Sequence, residues 1–476
     1  MVRFQLKTKL SFHDIIIVIM ALVYTIIMIY LSFIKFTYFR YSSFDLGIFT
    51  QSLASFIHGR FFFNTLEWQF HSAPNHFAVH FQPILFLLVP IFKFFPSPKT
   101  LLVIQSLALG SSILLAYILA KKILNRNLAL ILTVLYAFNS SLIGINLFEF
   151  HPVSLAVPLF ILAAIFLVEN RELPFILTSF LLLSVKEDTF LGVASLSTWW
   201  AFREGFSLES IKKNRRFIIL SALAFLYGVI VIKLIIPHFG RGYIYIDLYE
   251  RINITGRKLI YFLLFNLSFG LLPLFLPRNW ILLALPWLEN LLASRESQYT
   301  FGLHYPYMLV PLSFVGSVFT VKEKEIDLKK VLSILIALGL MTSFATMPIV
   351  RKEPEKQFPL IYYSILEPIQ SYETAWEVIK ALLRTNLSIY TQPEFYPALA
   401  VKQNVYVYPS KITPDIVFLN MKTYRGRIFL RRLQRMVNAR YRLVYSKNGI
   451  RVYAREGLNV SREFSQLTHS SSHSEG

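Results

Sequence analysis

FQPILFLLVPIFKFF, residues 81–95, is apolar enough to enter a bilayer but short, and it is interrupted by Pro83 and Pro90. Whether it crosses or lies at the surface decides which side every later loop faces. If it crosses, the basic clusters Lys121, Lys122 and Arg126, and Lys212, Lys213, Arg215 and Arg216, fall outside. If it lies at the outer interface, both clusters fall inside, together with VKEKEIDLKK (321–330) and the basic start MVRFQLKTK. Cytoplasmic loops carry the excess of Lys and Arg, so the second arrangement is expected.

The chain around this run belongs to a membrane. It is 55% hydrophobic and only 16% charged, with mean hydropathy +0.52, too little charge to cover a soluble surface of this size. The first apolar run lacks a small-residue cleavage site and follows a basic start, which predicts an anchor and not a signal peptide. With 81–95 at the interface, the expected spans are 13–36, 100–120, 128–147, 152–169, 173–190, 191–204, 216–237, 257–275, 279–294, 305–321 and 329–348, about eleven by length. The net charge of +21 is scattered among short loops, which fits anionic lipid and excludes a nucleic-acid surface as the expected partner. With no cysteine, thiol nucleophiles and Cys-ligated metals are excluded.

The expected fold is therefore an α-helical polytopic membrane domain, residues 1–350, whose first external loop (37–99) carries interfacial helices. A linker at 351–370 leads to a small external α/β domain at 371–456 and a polar, disordered tail at 457–476. In that domain Ala375, Val378, Ile379 and Leu382 have helical spacing. LSIYT (387–391), NVYVY (404–408), DIVFLN (415–420), YRLVYS (441–446) and IRVYA (450–454) read as strands, the last two joined at Asn448-Gly449 as a hairpin.

The parity that satisfies the charge rule also sends five polar clusters to the outer side: FDLG (44–47), NHFAVH (75–80), FEFHP (148–152), VKED (185–188) and LHYP (303–306). Ionisable groups beside hydrocarbon are costly, so such clusters mark a site. Asp45 can serve as a general base or hold a divalent ion, or simply cap the helix that follows. His76 and His80 are four apart and would share one helical face, a spacing that permits two ligands to one metal. Pro83 follows closely enough to prevent that helix. Glu149 and His151 could bind a metal, a sugar hydroxyl or each other, or form a polar turn. Lys186 is a natural phosphate partner, with Glu187 and Asp188 to neutralise it or bind a sugar; an internal salt bridge is the plainer alternative. His304 and Tyr305 could reach a donor's phosphate or sugar, as could Arg241, Arg251, Arg257 and Lys258 from the loop above. A divalent ion (Mg, Mn or Zn) is the one cofactor the set Asp45, His76, His80, Glu149 and His151 suggests. No Walker A loop, GxGxxG or GxSxG elbow is present, which removes support for nucleotide-driven transport and α/β-hydrolase chemistry.

FDLGIFTQSLASFIHGRFFFN, HFQPILFLLVPIFKFFPSPKTLLVIQSLAL, FEFHPVSLAVP, VKED, LHYPYMLVP and, near the C-terminus, SIYTQPEFYPALAVKQNVYVYP with PDIVFLN resemble an uncharacterised family of polytopic membrane proteins of archaea and bacteria related to the GT-C glycosyltransferases. The resemblance spans most of the chain. It implies inverting transfer of a sugar from a polyprenyl-phosphate carrier to a glycan, lipid or protein acceptor on the external face of the plasma membrane. By position it makes Asp45 the base; His76, His80, Glu149, His151, Lys186, Glu187, Asp188, His304 and Tyr305 are the substrate-binding candidates read from the clusters themselves. The commoner GT-C signature has two acids in the first loop, whereas here Asp45 is followed by Leu46. Two other readings use the same residues: a transporter or flippase whose path these charges line, and a non-catalytic scaffold whose external domain binds partners.

Overall fold

In a computed structural model the described residues are 11–250, 253–324, 331–355, 359–407 and 412–458. All but the first two residues of the expected tail (457–476), the basic start and most of VKEKEIDLKK lie outside them. The first span is helix α1 (Phe12–Thr37), opened by a capping box in which Ser11 and Asp14 satisfy each other's backbone N–H groups. Its outward side, including Ile15, Ile19, Leu22, Ile26 and Tyr30, is exposed apolar surface, as a lipid-facing helix requires.

The first loop is itself folded. It contains α2 (Asp45–Ile57), α3 (Thr65–His71) and α4 (Leu85–Phe94). The last is the run that decided the topology; at ten residues it is too short to cross. Then follow α5 (Pro98–Ile123), α6 (Arg126–Ala137), α7 (Ser140–Leu147), α8 (Ala156–Val168), α9 (Glu172–Leu183) and α10 (Phe190–Ala201). After the short α11 (Leu208–Lys213), α12 (Arg215–Ile230) runs through a π turn into α13 (Ile236–Phe239). The membrane part closes with α14 (Gly256–Leu267), α15 (Asn279–Leu292), α16 (Leu309–Glu323) and α17 (Val331–Ala345).

Every expected span thus holds a helix, but the count of eleven crossings is not met by length. Among the described residues three helices are long and apolar enough to cross: Phe12–Thr37, Pro98–Ile123 and Arg215–Phe239. A fourth is reached if α6 and α7, bent by 46° at Phe138-Asn139, count as one. The other passes are shorter than expected for local reasons. The expected 257–275 helix stops at Leu267 because Gly270 and Leu271 take positive φ and Pro273 follows. The expected 305–321 helix starts only at Leu309, because Pro306 holds a 3-10 turn ahead of it.

The loops joining these helices fall into two groups. At one end the short loops are tied by ion pairs: Lys121–Asp14 (2.6 Å), Lys122–Glu169 (2.6 Å), Arg216–Glu172 (2.5 Å) and Arg278–Glu323. At the other end lie α2 to α4, the loops at 148–155, 184–189 and 240–250, and the segment 293–308.

The expected linker is not loose. Strands β1 (Ile349–Val350) and β2 (Ser364–Ile365) pair in parallel, and Tyr362 N–H donates to the Phe301 carbonyl (2.8 Å). Buried Lys35, near the end of α1, donates to the Leu147 carbonyl and to Ser364 Oγ (3.0 Å), joining first helix, α7 and linker. Beyond this, α18 (Tyr372–Leu383) is the helix the spacing predicts. Strands β3 (Ile389–Thr391), β4 (Val405–Tyr406), β5 (Ile416–Asn420), β6 (Tyr441–Lys447) and β7 (Ile450–Arg455) form one sheet of order β4-β3-β5-β7-β6. Helix α19 (Tyr396–Leu399) follows β3, and α20 (Tyr424–Arg440) follows β5. The β6–β7 turn has φ of 50° at Asn448 and 82° at Gly449, the left-handed pair a two-residue hairpin turn needs.

This domain sits directly on α2. A Cβ on Gly47 would lie 2.3 Å from the Tyr396 ring, so only glycine lets α19 approach. Gln51 Oε1 accepts from Tyr396 Oη (2.8 Å) and from the Thr65 N–H (2.7 Å), tying α2, α3 and α19 together.

Candidate functional site

Asp45 is the first residue of α2, at the end of the molecule opposite the ion-paired loops. The preceding Phe44 takes φ of 83°, and no side chain of α2 caps its own N-terminus. The capping reading of Asp45 is therefore corrected: Glu149 does that work from over a hundred residues away. Its buried carboxylate accepts from the backbone N–H of Ser43 and from that of Leu46 (2.9 Å). A negative charge at a helix N-terminus is favoured by the unpaired N–H groups there. Burial pushes the Glu149 carboxyl up, against the pull of these N–H donors. The Asp45 carboxylate is left half-buried, with no hydrogen-bond partner among the described residues.

Two cavities meet at Asp45. The first, of about 550 Å³, is lined by Asp45, His80, His151, Lys186, Asp188, His304 and Tyr305 from the expected set. The second, of about 1090 Å³, is lined by Asp45, Ser43, Glu67, His71, His304, Tyr305 and Tyr362. Asp45, Tyr245, Arg295, His304 and Tyr305 belong to both.

Within the first cavity Lys186 is ion-paired with Asp188, which also accepts from Tyr307 Oη (2.5 Å). Burial works against both charges, yet their attraction wins: the lysine is held up and the aspartate down. Glu289 approaches the same pair from α15. Glu187 points elsewhere, bonding His80 Nδ1 (2.6 Å) and accepting from the Phe81 N–H (3.2 Å). It orients His80, whose ring stacks on Tyr245 at 4.7 Å and 11°. His151 and His304 stack at 4.3 Å and 14°, and His304 stacks on Tyr305 at 4.3 Å. Burial first, with Lys186 among the neighbours that add to it, pushes both imidazoles well down, which favours their neutral forms.

His76 departs from its expected place. It occupies a 3-10 turn (His76–Ala78), not a helix shared with His80, and the two rings are 5.9 Å apart with different partners. His76 is buried between Glu67 (2.9 Å) and Gln82 Oε1 (2.7 Å), and those contacts outweigh burial to hold its pKa up. The metal set fails the same test. Among the described residues no group of three His, Asp or Glu side chains is placed to hold an ion. Glu149 is turned to the α2 backbone and His76 to Glu67, so the donors the set needs are spent on the protein itself, and no step is routed through a metal.

Of the loop cations, Arg257 pairs with Glu296 (2.9 Å) and Lys258 donates to the Asn253 carbonyl, while Arg251 is outside the described residues. Arg241 does not line either cavity. The cation that does reach both is Arg295, which lies over the Tyr245 ring at 5.4 Å. Glu67, Glu289, Arg295 and the tyrosines 243, 245 and 249 were not singled out from sequence. Glu289 alone carried a signal, an acid within the apolar helix WLENLL.

A family model described as "Predicted membrane protein (DUF2079)" matches residues 35–452, which takes in every residue of the site and nearly all of the α/β domain. Among curated proteins none matches.

Proposed function

The chain belongs to this family of predicted membrane proteins, and from that premise we propose that it is a GT-C-type glycosyltransferase using a polyprenyl-phosphate-linked sugar at the external membrane face. The observation that carries the reading is the position of Asp45: a carboxylate without a hydrogen-bond partner, at the junction of two cavities. One cavity holds Lys186 and Arg295, cations suited to a phosphate leaving group. The other gives an acceptor a separate approach. Attack from that side forms the new bond between the acceptor oxygen and the anomeric carbon as the carbon–oxygen bond to phosphate breaks. The hydroxyl proton goes to Asp45 and the electron pair to the polyprenyl phosphate, with inversion at the sugar. His151, His304 and Tyr305, stacked on one another, supply flat surfaces and hydrogen bonds for the sugar.

Transport is less well supported, because several charges at the opposite end are spent in loop-to-loop ion pairs. The test is sugar release from polyprenyl-phosphate donors by the full chain in nanodiscs. Asp45→Asn is expected to lose about 10²–10⁴-fold in turnover with donor binding retained, the range for a positioned base. Donor binding without turnover in the wild type would overturn the assignment.

A further inference from the structure

A third cavity, of about 1600 Å³, lies where the α/β domain meets the membrane part. Its position follows from the sheet topology. β3 and β5 are parallel neighbours, but the chain leaves β3 towards β4 on one flank and leaves β5 through α20 towards β6 and β7 on the other. In open α/β sheets the crevice outside the carboxyl ends of such a pair is where ligands bind. Here the residues following those ends, Glu394 after β3 and Thr423, Tyr424 and Arg425 after β5, line the cavity. Arg40, just beyond α1, and Arg257, in α14, close it from the membrane side.

Two further features give the cavity a direction and a chemistry. Tyr362 lines both this cleft and the second of the cavities at Asp45, and its hydroxyl bonds Ser43 Oγ (3.2 Å), two residues before Asp45. The cleft therefore opens towards the reacting carboxylate. At its other end begins α20. From Lys422 to Arg442 the sequence has eight Lys and Arg and no acid. Gly426, Phe429, Leu433 and Val437 are buried against the sheet, and at 3.6 residues per turn Arg425, Arg427, Arg431, Arg432 and Arg435 fall on the other side. All five are exposed, and Arg431, Arg432 and Arg435 have no ion-pair or hydrogen-bond partner among the described residues.

We propose that the cleft and the arginine face of α20 bind the acceptor as an acidic oligosaccharide. Its hydroxyl-bearing end passes Tyr362 to reach Asp45, and its carboxylate- or sulfate-bearing units lie along the exposed arginines. The proposal rests on the transferase reading for what happens at Asp45, but binding itself does not. A glycan is favoured over an acidic polypeptide by the lining of the cleft. Glu353 and Glu394 accept sugar hydroxyls, and Tyr362, Tyr363 and Tyr424 offer ring faces for stacking.

The test uses the full chain in nanodiscs of zwitterionic lipid, without donor, and a fluorescent oligogalacturonide read by anisotropy. Saturable binding is expected, weakened about tenfold or more in the triple variant Arg431→Gln, Arg432→Gln, Arg435→Gln, and lost at about 1 M salt, where the screening length is about 3 Å. Tyr424→Ala should weaken it independently of salt. Equal binding of a neutral maltooligosaccharide, tighter binding of polyglutamate, or indifference to the triple variant in a protein of unchanged melting temperature would each overturn the proposal. Donor turnover is measured separately, so probe binding without turnover removes the transferase reading alone, and turnover without probe binding removes the cleft alone.

Discussion

Asp45 sits among groups that pull its proton in opposite directions. Burial comes first, then the carboxylates of Glu149 and Glu67, and together they hold the Asp45 carboxyl well above its ordinary range against His76 and Lys186. A base must be ionised to accept a proton, so kcat/KM should fall as pH drops through a value above the usual carboxylate range, measured as the acid limb of a pH–rate profile. The same surroundings make a second prediction, on stability. The folded carboxyl keeps its proton to higher pH than the unfolded one, so stability declines as pH rises through that window. Asn cannot ionise. Asp45→Asn should therefore melt higher than the wild type at mildly alkaline pH, with the gap closing in acid, while activity is lost. A variant that melts lower throughout would show that the aspartate is a structural group.

At the scale of the element, FDLG illustrates what could be read and what could not. An acid just past a span was legible as a site because charge is costly there. The division of labour within the four residues was not, because each partner lies far along the chain. Leu46 gives its N–H to Glu149, and Gly47 makes room for Tyr396. For His76 and His80 the spacing allowed one helical face and Pro83 argued against it; the segment is a 3-10 turn, His76–Ala78, so the face does not form. The strands and the hairpin were legible because alternation and Asn-Gly are local signals. Gly47→Ala, which drives a Cβ into the Tyr396 ring, should cost about 1–3 kcal/mol by overpacking. Limited proteolysis would then release residues 371–456 more readily, and Tyr396→Leu in the same chain should restore protection. Glu149→Gln leaves one oxygen for two N–H donors and faces a buried N–H with an amide donor, for a loss of about 1–3 kcal/mol in thermal stability.

For the whole molecule the open matter is which end faces out. The ends differ in kind: one carries the cavities at Asp45 and the α/β domain, the other carries short loops joined by several ion pairs. Charge counting from sequence placed the second end inside by treating 81–95 as interfacial; α4, at ten residues, is shorter than a crossing needs, as are other apolar helices of the chain. Among the described residues three helices, or four with α6 and α7 taken as one, meet the length criterion, so the crossing of the shorter ones is what cysteine labelling reads. The chain has no cysteine, so single cysteines report without background. Ser446→Cys lies on the exposed β6–β7 hairpin, and Lys212→Cys on α11 at the opposite end. A membrane-impermeant maleimide should label Ser446→Cys in intact cells and Lys212→Cys only after permeabilisation. Labelling of both from one side would mean that the passes do not alternate. The reverse pattern would put Asp45 and the cleft in the cytoplasm, where an external acceptor could not reach them.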